Sequence, residues 1–235
     1  FPYTTLFRSL NLSPRLAMVA RFVTPGARIA DIGSDHGYLP AHLLLNQNIT
    51  YAVIGEVASG PLENAKHELD RRHLTAYTQV RLANGLAAIL PEDNVTEVTI
   101  AGMGGILISE ILSAGYQRHQ KFEKLILQPN TDEQVLRTWL EQHHYQITAE
   151  DIVQEGKHFY EVIVAQPGKQ VLSETDRLFG PLLRKQQAPA FFAKWQKELQ
   201  RIEIIFDNLA AADKVETSAY QEWHIRYTQI QEVLS

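Results

Sequence analysis

The chain has 235 residues, 45% hydrophobic and 21% charged, which is enough for one α/β domain plus an appendage. It has no cysteine, so disulfides and thiolate metal sites are excluded, and its net charge of −5 excludes a uniformly basic nucleic-acid binder while leaving room for a local basic face. No apolar run approaches the roughly 20 residues that span a bilayer, and no signal peptide is evident, so a cytoplasmic protein with no membrane contact is expected.

Phe1 to Ser9 shows no helical or strand period and no initiating Met, and reads as a processed end or a cloning scar. Arg8, Arg15, Arg21 and Arg28 all precede the first acid, Asp31: either a few solvated arginines or a cationic edge for a polyanion. Ser13-Pro14 reads as N-cap and first residue of a helix with the apolar stripe Leu16, Val19, Ala20 and Val23, which Pro25-Gly26 ends. A first strand, Arg28 to Ile32, runs into the small-residue turn Gly33-Ser34-Asp35-His36-Gly37, and a helix-like stretch follows at Ala41 to Asn46. Tyr51 to Val57 is a second strand, followed by a helix over Ser59 to Arg72. Val80 to Leu82 is a third and ends at Asn84-Gly85, and Glu97 to Ala101 is a fourth and ends at Gly102-Met103-Gly104-Gly105. Lys124 to Pro129 is a fifth, and Thr131 to His143 is a helix with Thr131 as N-cap. Strands each followed by a helix predict an α/β fold with a mostly parallel, doubly wound sheet.

Tyr145 to Val153 and His158 to Ala165, joined by Gln154 to Lys157, then predict a terminal antiparallel hairpin. Five parallel strands closed by such a hairpin is the Rossmann-like arrangement of the class I methyltransferases, and dinucleotide-type dehydrogenases as a rule lack it. Pro167-Gly168 marks a boundary between a domain at residues 10–168 and a helical one at 169–235. Phe192, Trp195, Leu199, Ile202, Phe206 and Leu209 are spaced 3, 4, 3, 4, 3; Asn208 to Asp213 is the expected turn; Tyr220, Trp223, Tyr227, Ile230 and Val233 form a second stripe. Together they predict an antiparallel coiled-coil arm. Residues 171–235 carry 8 Lys+Arg against 9 Asp+Glu, so an arm that grips RNA does so through one face.

Ligands of a doubly wound sheet bind beyond the carboxyl ends of its strands. The first such end carries Asp31-x-Gly33-x-x-x-Gly37 rather than the G-x-G-x-x-G of dinucleotide binders, a spacing suited to the amino acid, sulfonium and ribose of S-adenosylmethionine (SAM). The expected cofactor contacts are Gly33, Ser34, His36 and Gly37 in this turn, Glu56 and Val57 after the second strand, Asn84 and Gly85 after the third, and Gly102, Met103 and Gly104 after the fourth. Glu56, about 20 residues past the turn, is placed to accept both ribose hydroxyls, and Asn84 to pair with the adenine edge. The 102–105 run lacks the polar residue and two prolines of many amino-methylating enzymes, so an acceptor there would meet backbone groups, with Met103 as an adaptable apolar contact. His143 and His144 fall on different helix faces and no H-E-x-x-H is present, so no metal is expected.

The runs Ala30 to Pro40 and Ile100 to Gly105, with Gly55-Glu56-Val57, Gly60-Pro61, Arg81 to Leu86, Gln128-Pro129, Glu155-Gly156-Lys157, Tyr160-Glu161 and Phe179-Gly180-Pro181, resemble the bacterial TrmK family of tRNA (adenine-22-N1)-methyltransferases from about Asn11 to the end. The resemblance implies SAM as methyl donor, tRNA as acceptor and a coiled-coil arm. On that footing Asp31, Asp35 and His36 are the catalytic candidates, and Arg15, Arg21, Met103 and Gly105 the tRNA contacts. A monomer or weak homodimer is expected. The rival readings are a SAM enzyme acting on another RNA, a protein or a small molecule, a nicotinamide dehydrogenase, and a non-catalytic SAM- or RNA-binding protein.

Overall fold

The computed structural model describes residues 10–235, so Phe1 to Ser9, including Arg8, lie outside the described residues. Helix α1 (Pro14–Arg21) starts as its sequence dictates, with Pro14 in the first turn and the Ser13 hydroxyl accepting the Leu16 N–H. Strand β1 (Ala27–Ile32) leads through the glycine turn to α2 (Tyr38–Leu45), and β2 (Ile49–Glu56) leads to α3 (Ser59–Arg71). Next come β3 (Thr78–Leu82), β4 (Glu97–Met103), α4 (Gly105–Gln117), β5 (Lys124–Pro129), α5 (Glu133–Gln142) and the hairpin β6 (Tyr145–Glu155) and β7 (His158–Pro167).

The seven strands pair in the order β3-β2-β1-β4-β5-β7-β6. The first five run parallel and β7 joins β5 antiparallel. The last four residues of β1 and the last five of β2 are buried without alternation, as befits strands covered on both faces. Strand order reverses between β1 and β4, so their carboxyl ends flank the crevice where such folds bind ligands.

Three expectations fail locally. No α-helix joins β3 to β4: Gly85–Ala88 and Pro91–Asp93 form two single 3-10 turns, because Gly85 adopts a positive φ and Pro91 interrupts any longer helix. Helix α5 starts two residues after Thr131, which is not its N-cap; Asp132 holds that place in a left-handed conformation, and the Thr131 hydroxyl donates to the Asp132 carboxylate instead. The 131–143 periodicity gave the helix but not its start. The arginines before Asp31 do not share one edge among the described residues. Arg28 opens β1, at the far end of the sheet from the crevice, where its guanidinium stacks 3.9 Å from the Tyr51 ring and donates to the Asp93 carbonyl.

The chain divides into two compact units after Leu172. The second, Ser173–Ser235, contains α6 (Glu174–Phe179), α7 (Leu183–Gln186), α8 (Pro189–Ala211) and α9 (Ser218–Leu234). Helices α8 and α9 run antiparallel. Phe206 meets Tyr220, the Tyr227 hydroxyl donates to Glu203, the Arg201 guanidinium lies over Trp223, and Ile202 and Ile230 are fully buried. The expected stripe is off by one residue at its start: Phe191, not Phe192, is fully buried, packed on Trp195, which Phe179 also meets. The helix also runs on to Ala211, so Asn208 to Ala211 belong to it and not to the turn.

Candidate active site

Two cavities open at the carboxyl ends of β1, β2 and β4, with Gly33, Asp35, Ala101 and Gly102 common to both. The first, of about 510 Å³, is polar: Arg15 and Ser13 from the start of α1, Asp31, the 33–36 turn, and Glu155 from the hairpin line it, with Tyr38 beside them. The second, of about 440 Å³, is mostly apolar: Ile32, Val57, Pro61, Met103, Leu107 and Ile111 surround the polar groups of Glu56 and Asn84.

The turn between them has no room for a side chain at its first position. A Cβ on Gly33, whose φ is +72°, would lie 2.0 Å from the Met103 methyl, so the Met103 side chain rests directly on the Gly33 backbone. Asp35 also adopts a positive φ, which an aspartate tolerates, and its N–H donates to Glu56 Oε1 at 2.5 Å. Glu56 thus fastens the turn to β2 while its side chain faces the apolar cavity. Burial pushes its carboxyl above the usual range, and the Asp35 N–H opposes that rise.

Asp31 is buried and accepts the Thr99 hydroxyl at 2.7 Å. Burial pushes its pKa up; the neighbouring Ser34 and Thr99 hydroxyls offset part of the rise, the Glu56 charge adds to it and the Arg15 charge subtracts. The Ser34 oxygen is itself buried near the Asp31 carboxylate but outside hydrogen-bond geometry with any partner. His36 stacks on Tyr38 with ring centroids 5.1 Å apart, and its Nε2 lies 3.5 Å from the exposed Asp35 carboxylate.

Of the residues expected at the site, Asp31, Gly33, Ser34, Asp35, His36, Arg15 and Gly102 line the polar cavity, and Glu56, Val57, Asn84, Gly85, Gly102 and Met103 the apolar one. Gly37, Gly104 and Gly105 line neither. Gly37 caps α2 against Ala65, Gly104 caps α4, and a Cβ on Gly105 would strike the Asp132 carbonyl at 2.3 Å, so that glycine serves helix packing. Arg21 also lines neither cavity; it sits at the far end of α1 and makes a loose, exposed pair with Asp151. Arg15 is no free phosphate clamp: its Nη1 donates to Gln128 Oε1 at 2.6 Å. The carbonyls expected to meet the acceptor are also engaged, because Asn130 donates through its side chain to Gly102 O and through its backbone to Met103 O.

Gln128, Asn130 and Glu155 were missed as site residues. Gln128 has a sequence signal, a lone amide closing the apolar run Lys124 to Leu127, where a buried polar group must have partners. Asn130 carries none, since only tertiary pairing brings it to β4, and Glu155 reads only as part of the 155–157 resemblance run, with nothing local to place it beside α1.

The donor set fits SAM. Glu56 and Asn84 suit a ribose and an adenine edge in an apolar slot, Asp31 suits an ammonium, and the orphaned Ser34 hydroxyl has a place for a polar partner. No group of three or more His, Cys, Asp or Glu side chains with metal-holding geometry occurs among the described residues. No helix among them is long and apolar enough to cross a membrane.

Comparison with known proteins gives the family. The model of TrmK, tRNA (adenine(22)-N(1))-methyltransferase, matches residues 29–232. The tRNA (adenine(22)-N(1))-methyltransferase of Bacillus subtilis strain 168 is 38% identical over 213 residues, 88% of this chain and 89% of that protein. A crystal structure of Streptococcus pneumoniae Sp1610, a putative tRNA (m1A22) methyltransferase in complex with S-adenosyl-L-methionine, superposes with a TM-score of 0.87 at 43% identity, covering 96% of this chain and all of that one. A Streptococcus agalactiae protein of the NADB-Rossmann superfamily superposes with a TM-score of 0.92 at 38% identity, covering 97% of this chain and 99% of that one. The dehydrogenase reading falls with these matches, and the chain belongs to the TrmK family of tRNA (adenine(22)-N(1))-methyltransferases.

Proposed function

We propose that this protein transfers the methyl group of SAM to N1 of adenine 22 in tRNA. One observation within the fold supports it most: an apolar, ribose-competent cavity and a polar cavity meet at Gly33 and Gly102, on the topological switch point of the sheet. Bound SAM supplies an electrophilic methyl on a sulfonium. Glu56 holds the ribose hydroxyls, Asn84 and Gly85 the adenine edge, and Asp31 and Ser34 the amino-acid end. The unpaired target adenine enters the polar cavity beside Tyr38 and His36, after extrusion from the tRNA fold at a cost of a few kcal/mol.

Adenine N1 carries an in-plane lone pair and needs no general base to attack, so the chain's main work is to hold N1 in line with the methyl–sulfur bond. The methylated base is cationic until it sheds an N6 proton. Asp35, exposed at the mouth of both cavities, favours that charge. The α8–α9 hairpin is read as the coiled-coil arm that holds tRNA by shape and phosphates, and the protein as a cytoplasmic monomer or weak homodimer.

The test is transfer of labelled methyl from SAM to an unmodified tRNA transcript, beside the same transcript with adenine 22 changed to guanine. Label in the first alone is the expected result. Label in both moves the target position, and label in neither, from a folded protein that binds SAM, overturns the tRNA reading. Asp35→Ala is expected to abolish transfer while leaving SAM bound.

A further inference from the structure

At the end of β4 the ladder with β5 breaks. Ala101 pairs with Gln128 and Met103 with Pro129, so Gly102 is left as a bulge with no strand partner. Its φ of +84° turns the chain toward the glycine turn, and this residue lines both cavities. Left out of the ladder, the exposed Gly102 peptide needs other partners, water or side chains, for its N–H and C=O. Two side-chain amides supply them. The Gly102 N–H donates to Gln128 Oε1 at 3.0 Å, and Asn130 Nδ2 donates to Gly102 O at 2.7 Å.

The two amides also lock each other. Gln128 Nε2 donates to Asn130 Oδ1 at 3.1 Å and to Pro129 O at 2.7 Å, while Gln128 Oε1 accepts Arg15 Nη1 as well as the Gly102 N–H. Gln128 is fully buried, and its oxygen faces two donors and its nitrogen two acceptors, so one orientation of the amide satisfies all four bonds and the flipped one none. Arg15 extends this ring to α1, whose first turn accounts for part of the polar cavity wall.

We propose that Gln128 and Asn130 are positioning residues for methyl transfer: as an amide clamp on both polar groups of the Gly102 peptide, they fix the wall where the two cavities meet. Met103, which follows in the chain and lies on Gly33, takes its place from that peptide. The inference rests on the tRNA methyltransferase reading, in which cofactor and base approach each other across this wall.

The test uses the full-length protein with Asn130→Ala and Asn130→Asp, since Asn130 is exposed at a strand end and its loss spares the core. The variants are compared with wild type for kcat and KM on tRNA, for SAM affinity by calorimetry, and for amide hydrogen exchange over residues 101–104 of the protein without ligand. Asn130→Ala is expected to lower kcat by about 10- to 100-fold, with SAM affinity and tRNA KM within about threefold, and to speed exchange at Gly102 and Met103. Asn130→Asp is expected to be no better, because a carboxylate cannot donate to the Gly102 carbonyl. A kcat close to wild type, rescue by aspartate, or a kcat loss matched by lost SAM affinity each overturns the proposal. A wild-type protein that fails to methylate tRNA overturns the underlying reading instead, and unchanged exchange in both variants then overturns the clamp independently.

Discussion

The two cavities that meet at Gly33 and Gly102 offer a ligand opposite things. One is walled by Ile32, Val57, Pro61, Leu107 and Ile111 and, besides the shared Asp35, has two polar side chains fit for discrete hydrogen bonds, Glu56 and Asn84. The other gathers two carboxylates from β1 and its turn, a third from the hairpin, and one guanidinium within a similar volume. An apolar slot with few polar groups selects a flat nucleoside by shape, whereas a charged one receives an amino-acid end and a base that becomes cationic. Division of labour in this fold is therefore set by which strand end supplies which lining, and each side can be damaged separately.

Gly33→Ala strikes both cavities and carries the largest expected effect. The new Cβ meets the Met103 methyl and the backbone holds an unfavourable φ, so SAM affinity is expected to fall at least about 100-fold by calorimetry. An affinity within about threefold of wild type would show that the turn opens freely and that the two cavities are not divided as described.

Glu56→Gln strikes the apolar side. Hydrogen bonds to a charged group contribute roughly 1.5–3 kcal/mol, so SAM affinity is expected to drop about 10- to 100-fold, and that of the demethylated product equally, since both carry the same ribose. The KM for tRNA should stay put; a rise in it instead would place Glu56 on the acceptor side. Asn84→Ala removes a neutral amide from the same slot and is expected to cost no more than about tenfold in SAM affinity. A larger loss would mean that Asn84 shapes the turn after β3 rather than meeting the base edge.

The apolar side was the more legible in sequence. Glu56, Asn84 and Gly102 each lie within two residues of a strand's carboxyl end, so locating the strand ends located the residues. The polar side depends on contacts across long stretches of chain. The Arg15 guanidinium meets Gln128, 113 residues away, and its backbone N–H meets Glu155, 140 residues away, so an arginine that reads as a phosphate contact is already bound to the strand-end network. The same logic explains the misplaced glycines. Gly104 and Gly105 look like a close-approach motif, but the carbonyl that Gly105 makes room for belongs to Asp132, at the start of a helix whose docking no local pattern encodes. The first helical stripe slipped by one residue at its start because a 3-4 spacing fits Phe191 or Phe192 equally, and only the packing on Trp195 chooses between them.

Asp31 supplies the smallest effect and the one with an unexpected sign. Its carboxyl is buried, and desolvation raises its pKa in the fold above that of the unfolded chain. Between the two values the folded protein binds more protons, so stability falls as pH rises through that window and the penalty is complete above the raised value. Asp31→Asn removes the charge yet keeps an oxygen for the Thr99 hydroxyl, so the ligand-free protein is expected to melt a few degrees higher at pH 7, with the gain shrinking as pH falls through that window and gone below the ordinary carboxylate range. The same variant is expected to bind SAM more weakly, because the carboxylate that suits its ammonium is gone. Melting curves against pH, with and without SAM, separate the two effects. A variant that is less stable at pH 7 would mean that the carboxylate holds the β1 turn through its Ser34 and Thr99 neighbours, and that the polar cavity is not strained by its own charge.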